Sequence, residues 1–159
     1  MANFKKTMMA AAGAGGGGLD VDEVFSTYLY TGTGSTQTFS NGIDLAGEGG
    51  LVWMKARNNQ QNNWWYDSER SSFAAGLRSD TTANEYNPGT AVTSVSSSGF
   101  TLGTYGEINQ STIDYTSWTF RKAPKFFDVV KVTPSSSNTN LRISHSLGAT
   151  PGCIIAKRS

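Results

Sequence analysis

The chain has 159 residues and 17.0 kDa, the size of one domain or one domain plus a fragment. Gly, with 18 copies, dominates the composition together with Ser, Thr and Asn, only 16% of residues are charged, and the net charge is +1. This balance excludes a long helical bundle and lacks the basic excess that drives phosphate binding, so no nucleic-acid partner is expected.

The sequence has no apolar run of about 18 residues, so no membrane span is expected. A single cysteine rules out an internal disulfide and a multi-cysteine zinc site. Apolar residues at 37%, with 4 Trp, 6 Tyr and 8 Phe, are enough to bury a core. What remains is a neutral, turn-rich, all-β chain that works by contact.

Residues 1–18 differ from everything after them. Lys5 and Lys6 precede a short apolar run around Met8 and Met9, and glycines then dominate. Signal peptides and flexible linkers share these traits, but the apolar run is weak for a signal. We read the segment as an extended docking arm, with Phe4, Lys5, Lys6, Met8 and Met9 as its contact residues.

Short β-prone runs follow, broken by Gly, Asn, Ser and Pro. Val24 to Tyr30 predicts a first strand. Thr36 to Phe39 predicts a second, ended by the hairpin-type turn dipeptide Asn41-Gly42. Leu51 to Arg57 predicts a third and Trp64 to Asp67 a fourth. Ala91 to Val95 and Gly99 to Leu102 predict a hairpin around Ser96 to Ser98. Ile113 to Phe120 alternates, placing Tyr115 on one face and Trp118 and Phe120 on the other. Phe126 to Val132 reads as the strongest strand of all. Seven or more strands at this spacing predict an antiparallel β-sandwich or jelly roll. The expected core is Phe25, Leu29, Val52, Trp53, Phe100, Leu102, Trp118, Phe120, Phe127 and Val129. The basic group Arg121 to Lys125 reads as a solvated corner, with Pro124 ending a strand.

Two stretches match each other: Phe39 to Leu45 followed by Gly49 to Lys55, and Ile143 to Leu147 followed by Pro151 to Lys157. Each reads as strand, polar turn ending in Leu, Gly corner, and apolar strand capped by Lys. The spacing of about 100 residues makes the repeat unit a domain. The organisation expected is an arm over 1–18, a sandwich over 19–125, and a strand plus the start of a second, incomplete repeat over 126–159. A unit cut there leaves a raw sheet edge, so the natural polypeptide is expected to continue.

Few residues suit catalysis. His145 is the one histidine and Cys153 the one cysteine; we expect a turn residue and a small buried apolar residue, not a base and nucleophile. No metal is expected: Asp20, Asp22 and Glu23 lack the spacing of a calcium loop. Asp67 and Glu69 could form a carboxylate pair beside sugar-stacking Trp64, Trp65 and Tyr66. These five are the candidate glycan contacts, weighed against a surface ion network and core tryptophans. No cofactor and no enzymatic activity are expected.

The segments Glu48 to Lys55, Asp67 to Arg70, Ser98 to Gly103, Thr116 to Val130 and Ile143 to Gly152 together resemble a repeat of tailed-phage (cyanophage-type) virion proteins. The resemblance spans about residues 24–159. It implies a lectin-like β-sandwich located in the virion, in a tail fibre or related appendage that anchors to other virion proteins of the tail or capsid. It also implies a homotrimer. A host-surface glycan is a further expected partner, through a carbohydrate-binding role. A glycan-degrading role for Asp67 and Glu69 is the third reading.

Overall fold

The computed structural model describes residues 18–133 and 142–158; most of the predicted arm, with Phe4, Lys5, Lys6, Met8 and Met9, lies outside them. Eight strands and three single-turn helices alternate along the described chain. Asp20 caps the first helix, α1 (Val21–Val24), by accepting the Asp22 N–H. Strand β1 (Phe25–Thr31) follows, then β2 (Gln37–Ser40). Asp44 caps α2 (Leu45–Glu48), which delivers the chain into β3 (Gly50–Ala56) and β4 (Trp64–Asp67). Strands β5 (Gly76–Arg78), β6 (Val92–Ser96) and β7 (Gly99–Leu102) precede α3 (Gly106–Asn109) and β8 (Asp114–Arg121).

The strands form two antiparallel sheets, ordered β1-β8-β3-β4-β5 and β2-β7-β6. They pack as an all-β sandwich, as the strand spacing predicts. The last strand lies inside the larger sheet, between the first and the third: Trp118 of β8 lies opposite Thr27 of β1 and Trp53 of β3. The first and third strands therefore never touch, and β8 holds them together.

Most predicted strands form, and the Ser97-Ser98 turn joins β6 to β7. Three elements differ from expectation. Asn41-Gly42 does not close a hairpin: β2 pairs with β7, and the dipeptide carries the chain across to the larger sheet, with both its N–H groups donating to the Ser98 carbonyl. Strand β5 is short, only three residues, and carries no sequence alternation. Phe126 to Val132 forms no strand; its one β pairing among the described residues is the isolated bridge between Ala123 and Phe127. The chain turns away from β8 at Pro124 and Lys125, with Lys125 at φ +63°, and 126–132 then runs with no strand beside it among the described residues.

The core lies between the sheets. Val52 and Met54, Trp64 and Tyr66, Tyr30 and Tyr115 point inward from the larger sheet toward Phe39, Val92, Phe100 and Leu102 of the smaller one. Of the expected core only Val52, Phe100 and Leu102 are buried there. Phe25, Trp53, Trp118 and Phe120 occupy the outer face half-buried, Phe127 packs on Phe120 at 5.3 Å, Val129 is half-buried, and Leu29 is 59% exposed. The alternation along β8 is as predicted, but its core-facing side is that of Tyr115, not that of Trp118 and Phe120. Two of the buried aromatics carry hydroxyls that main-chain carbonyls satisfy: Tyr30 donates to Ile108 at 2.8 Å and Tyr115 to Gly106 at 3.2 Å. Asn109, fully buried, ties the loop after β1 to the turn after β7 through Thr33, Ser35 and Gly103.

Candidate functional site

Strand β4 sends successive side chains to opposite faces, and this divides the predicted glycan contacts. Trp64 and Tyr66 are wholly buried on the inner face, so neither ring can stack on a ligand. Trp65 sits on the outer face, edge-on to Trp53 at 5.6 Å. Asp67 is buried and accepts a short hydrogen bond from Arg70, while Glu69 lies past the strand and pairs with Lys122 at 2.9 Å. The five residues do not share a surface. The ionic contacts of Asp67 and Glu69 fall in two separate parts, the Asp67–Arg70 pair buried and the Glu69–Lys122 pair at the surface. Burial outweighs the Arg70 guanidinium and holds the Asp67 carboxyl above its ordinary value, and Arg70 also meets Glu85 at 3.4 Å. Lys122 bridges Glu69 and Asp128, which raises its ammonium above the usual range, chiefly through the Glu69 hydrogen bond.

The β4–β5 edge carries an aromatic and charged cluster that the sequence does not announce. Glu107 of α3 accepts 2.7 Å hydrogen bonds from Trp64 Nε1 and Asn62 Nδ2 on one oxygen, Oε2. Its other oxygen lies 3.9 Å from Arg78 of β5, whose guanidinium stacks over Trp64 at 4.8 Å. Tyr105 stands edge-on to Trp64 at 5.6 Å, and Tyr86 lies 6.2 Å from Tyr105. Reciprocal main-chain bonds of 2.9 and 3.0 Å fix Tyr86 beside Gly76. Gly76 must lack a side chain, because a Cβ would stand 2.7 Å from the Tyr66 ring. Only the fold joins these residues, which span 62 to 107 in sequence.

The C-terminal segment forms the second feature. Lys122–Asp128, Lys131–Glu85 at 2.9 Å and a Lys157–Ala83 hydrogen bond at 3.4 Å fasten it to the sandwich. A cleft of about 180 Å³ opens at the junction, among Glu48, Lys122, Phe127, Asp128 and Ser146. Beyond those ties the segment leaves Val130, Val132, Ile143, Ile154 and Ile155 in solvent, Ile154 at 80% and Ile155 at 70%. Residues 142–158 form no strand among the described residues. Cys153, expected to be buried, is exposed because its segment pairs with no strand. His145 is exposed, next to a bend at Ser146, and accepts the Leu147 N–H through Nδ1.

Among the described residues no cluster of His, Cys, Asp and Glu could hold a metal, and no helix is long and apolar enough to cross a membrane. Comparison with curated proteins and with solved structures gives no match. A family model described as a domain of unknown function, DUF7483, matches residues 20–159, the sandwich and the C-terminal segment alike. The chain therefore belongs to the DUF7483 family.

Proposed function

We propose that the chain is a structural component of a phage virion: the attachment domain of a tail fibre or similar appendage, acting through assembly and not through turnover. The observation that carries the reading is the C-terminal segment, where β-prone isoleucines and valines stand in solvent on main chain without a ladder. Isolated apolar surface residues are ordinary, but adjacent β-prone ones on unpaired backbone invite strand pairing with another chain. The resemblance to virion repeats supports the same reading, and it makes a homotrimer the expected assembly. The N-terminal arm would supply a second contact, to tail or capsid proteins.

The mass of the soluble full-length chain at micromolar concentration tests assembly. A trimer is expected, reduced to monomer by Ile154→Ser combined with Ile155→Ser. A monomer at every concentration would overturn it. Antibodies to the chain should label tail appendages of intact particles; particles that lack the chain would overturn the virion placement.

A further inference from the structure

The β4–β5 edge has the parts of a ligand site and no internal use for several of them. Tyr86 is 46% exposed, yet two main-chain bonds hold it in place. The Tyr66 hydroxyl is fully buried without a hydrogen-bond partner among the described residues, and so is Arg78 Nε. Such groups are uncommon in native structures and mark this edge as polar beneath its surface, while the groups that can meet a ligand are the more exposed Tyr86, Tyr105, Arg78 and Glu107. Tyr66 faces the same cluster: after burial itself, Tyr105 and Glu107 contribute most to holding its phenol in the neutral form. At 3.9 Å from Glu107, Arg78 has fork donors to spare, and Glu107 Oε1 has acceptor capacity.

We propose that this edge binds one sugar ring of a glycan, with Tyr86 and Tyr105 against its C–H face and Arg78 and Glu107 on a pair of neighbouring hydroxyls. One hydroxyl donates to Glu107 Oε1 and the other accepts from Arg78. A donor fork and a carboxylate side by side match a diol, whose hydroxyls each give and take a proton. The tyrosine rings offer rigid apolar faces with polar tips, which suit a ring that is apolar on one side and hydroxylated at its rim. An anionic ligand fits less well, because Glu107 stands beside Arg78 and would repel it. The platform is not the one the sequence suggests: Trp64 and Tyr66 support it from beneath, and the exposed Tyr86 and half-buried Tyr105 come from the segments after β5 and β7. The inference stands apart from the assembly reading, and its failure would leave that reading intact.

The full-length chain is applied to an array of neutral and of sialylated or uronate-bearing oligosaccharides, and the hits are titrated calorimetrically. Saturable binding to neutral glycans is expected, at least tenfold weaker for Tyr86→Ala and for Arg78→Lys, which keeps the charge and loses the fork. Leu29→Ser, on the far face, should bind as the parent does. Circular dichroism confirms that each variant is folded. Absence of binding across the array by the folded parent overturns the proposal. Binding undiminished in Tyr86→Ala, or confined to anionic oligosaccharides, does so as well.

Discussion

Gly50 to Lys55 and Gly152 to Lys157 are similar strings with opposite fates. In β3 the first string lies between β8 and β4, and Val52 and Met54 are wholly buried. In the second, the residue at the place of Val52 is Ile154, 80% exposed, and no strand pairs with it among the described residues. Composition and alternation make a segment able to be a strand, while neighbours make it one. The topology says which neighbour matters. A segment of the β3 type needs a β8-type strand on one side and a β4-type strand on the other.

Alanine substitutions can break that comparison most sharply at the two glycines. A Cβ on Gly50, where φ is +152°, would stand 2.1 Å from the Phe120 carbonyl oxygen, whereas Gly152 has open space around it. Gly50→Ala should cost about 3 kcal/mol or more, and Gly152→Ala less than about 0.5 kcal/mol, both read from denaturant midpoints. The next pair is Val52→Ala, about 2–3 kcal/mol for lost burial plus a cavity, against Ile154→Ala, within about 0.5 kcal/mol in the dilute chain. Equal effects at either pair would mean that the second string is packed as the first is.

Alkaline titration sharpens the comparison, because every tyrosine lies before residue 126. Burial, the largest cause in each case, raises the phenols of Tyr30, Tyr66, Tyr105 and Tyr115 above their ordinary value. Folding thus favours the neutral phenol over the unfolded one, which ionises near pH 10. The stability is fully present below about pH 10 and is lost as the pH rises through the folded values. In a chain carrying Tyr28→Phe and Tyr86→Phe, which keeps only these four phenols, phenolate absorbance should therefore appear together with loss of β structure, and separate transitions would contradict the burial. A small effect is expected of Lys131→Ala, which cuts the half-exposed tie to Glu85 and should cost less than about 1 kcal/mol.

Much of the fold was legible because aromatic and β-branched runs bounded by turn residues mark strands locally. The phase of the alternation was not, since Tyr115 and Trp118 are both aromatic and only the second sheet decides which side is covered. Strand β5 was not legible either: three residues hold no period, and Gly76 belongs there because the Tyr66 ring crosses it. At the candidate sites, the sequence gathered Trp64 to Glu69 because they are adjacent, although adjacency on a strand sends them to opposite faces. The Arg78, Tyr86, Tyr105 and Glu107 cluster was hidden for the converse reason: only sheet pairing and α3 bring its members together.

Hydrogen exchange of the full-length chain, followed from dilute to associated, tests the central claim that the C-terminal segment is an assembly surface. In the dilute monomer the amides of β3 should be strongly protected and those of residues 153–156 should exchange freely. Residues 153–156 should gain protection as the chain associates, while β3 stays unchanged. Protection of 153–156 equal to that of β3 in the monomer, or no gain on association, would contradict the account.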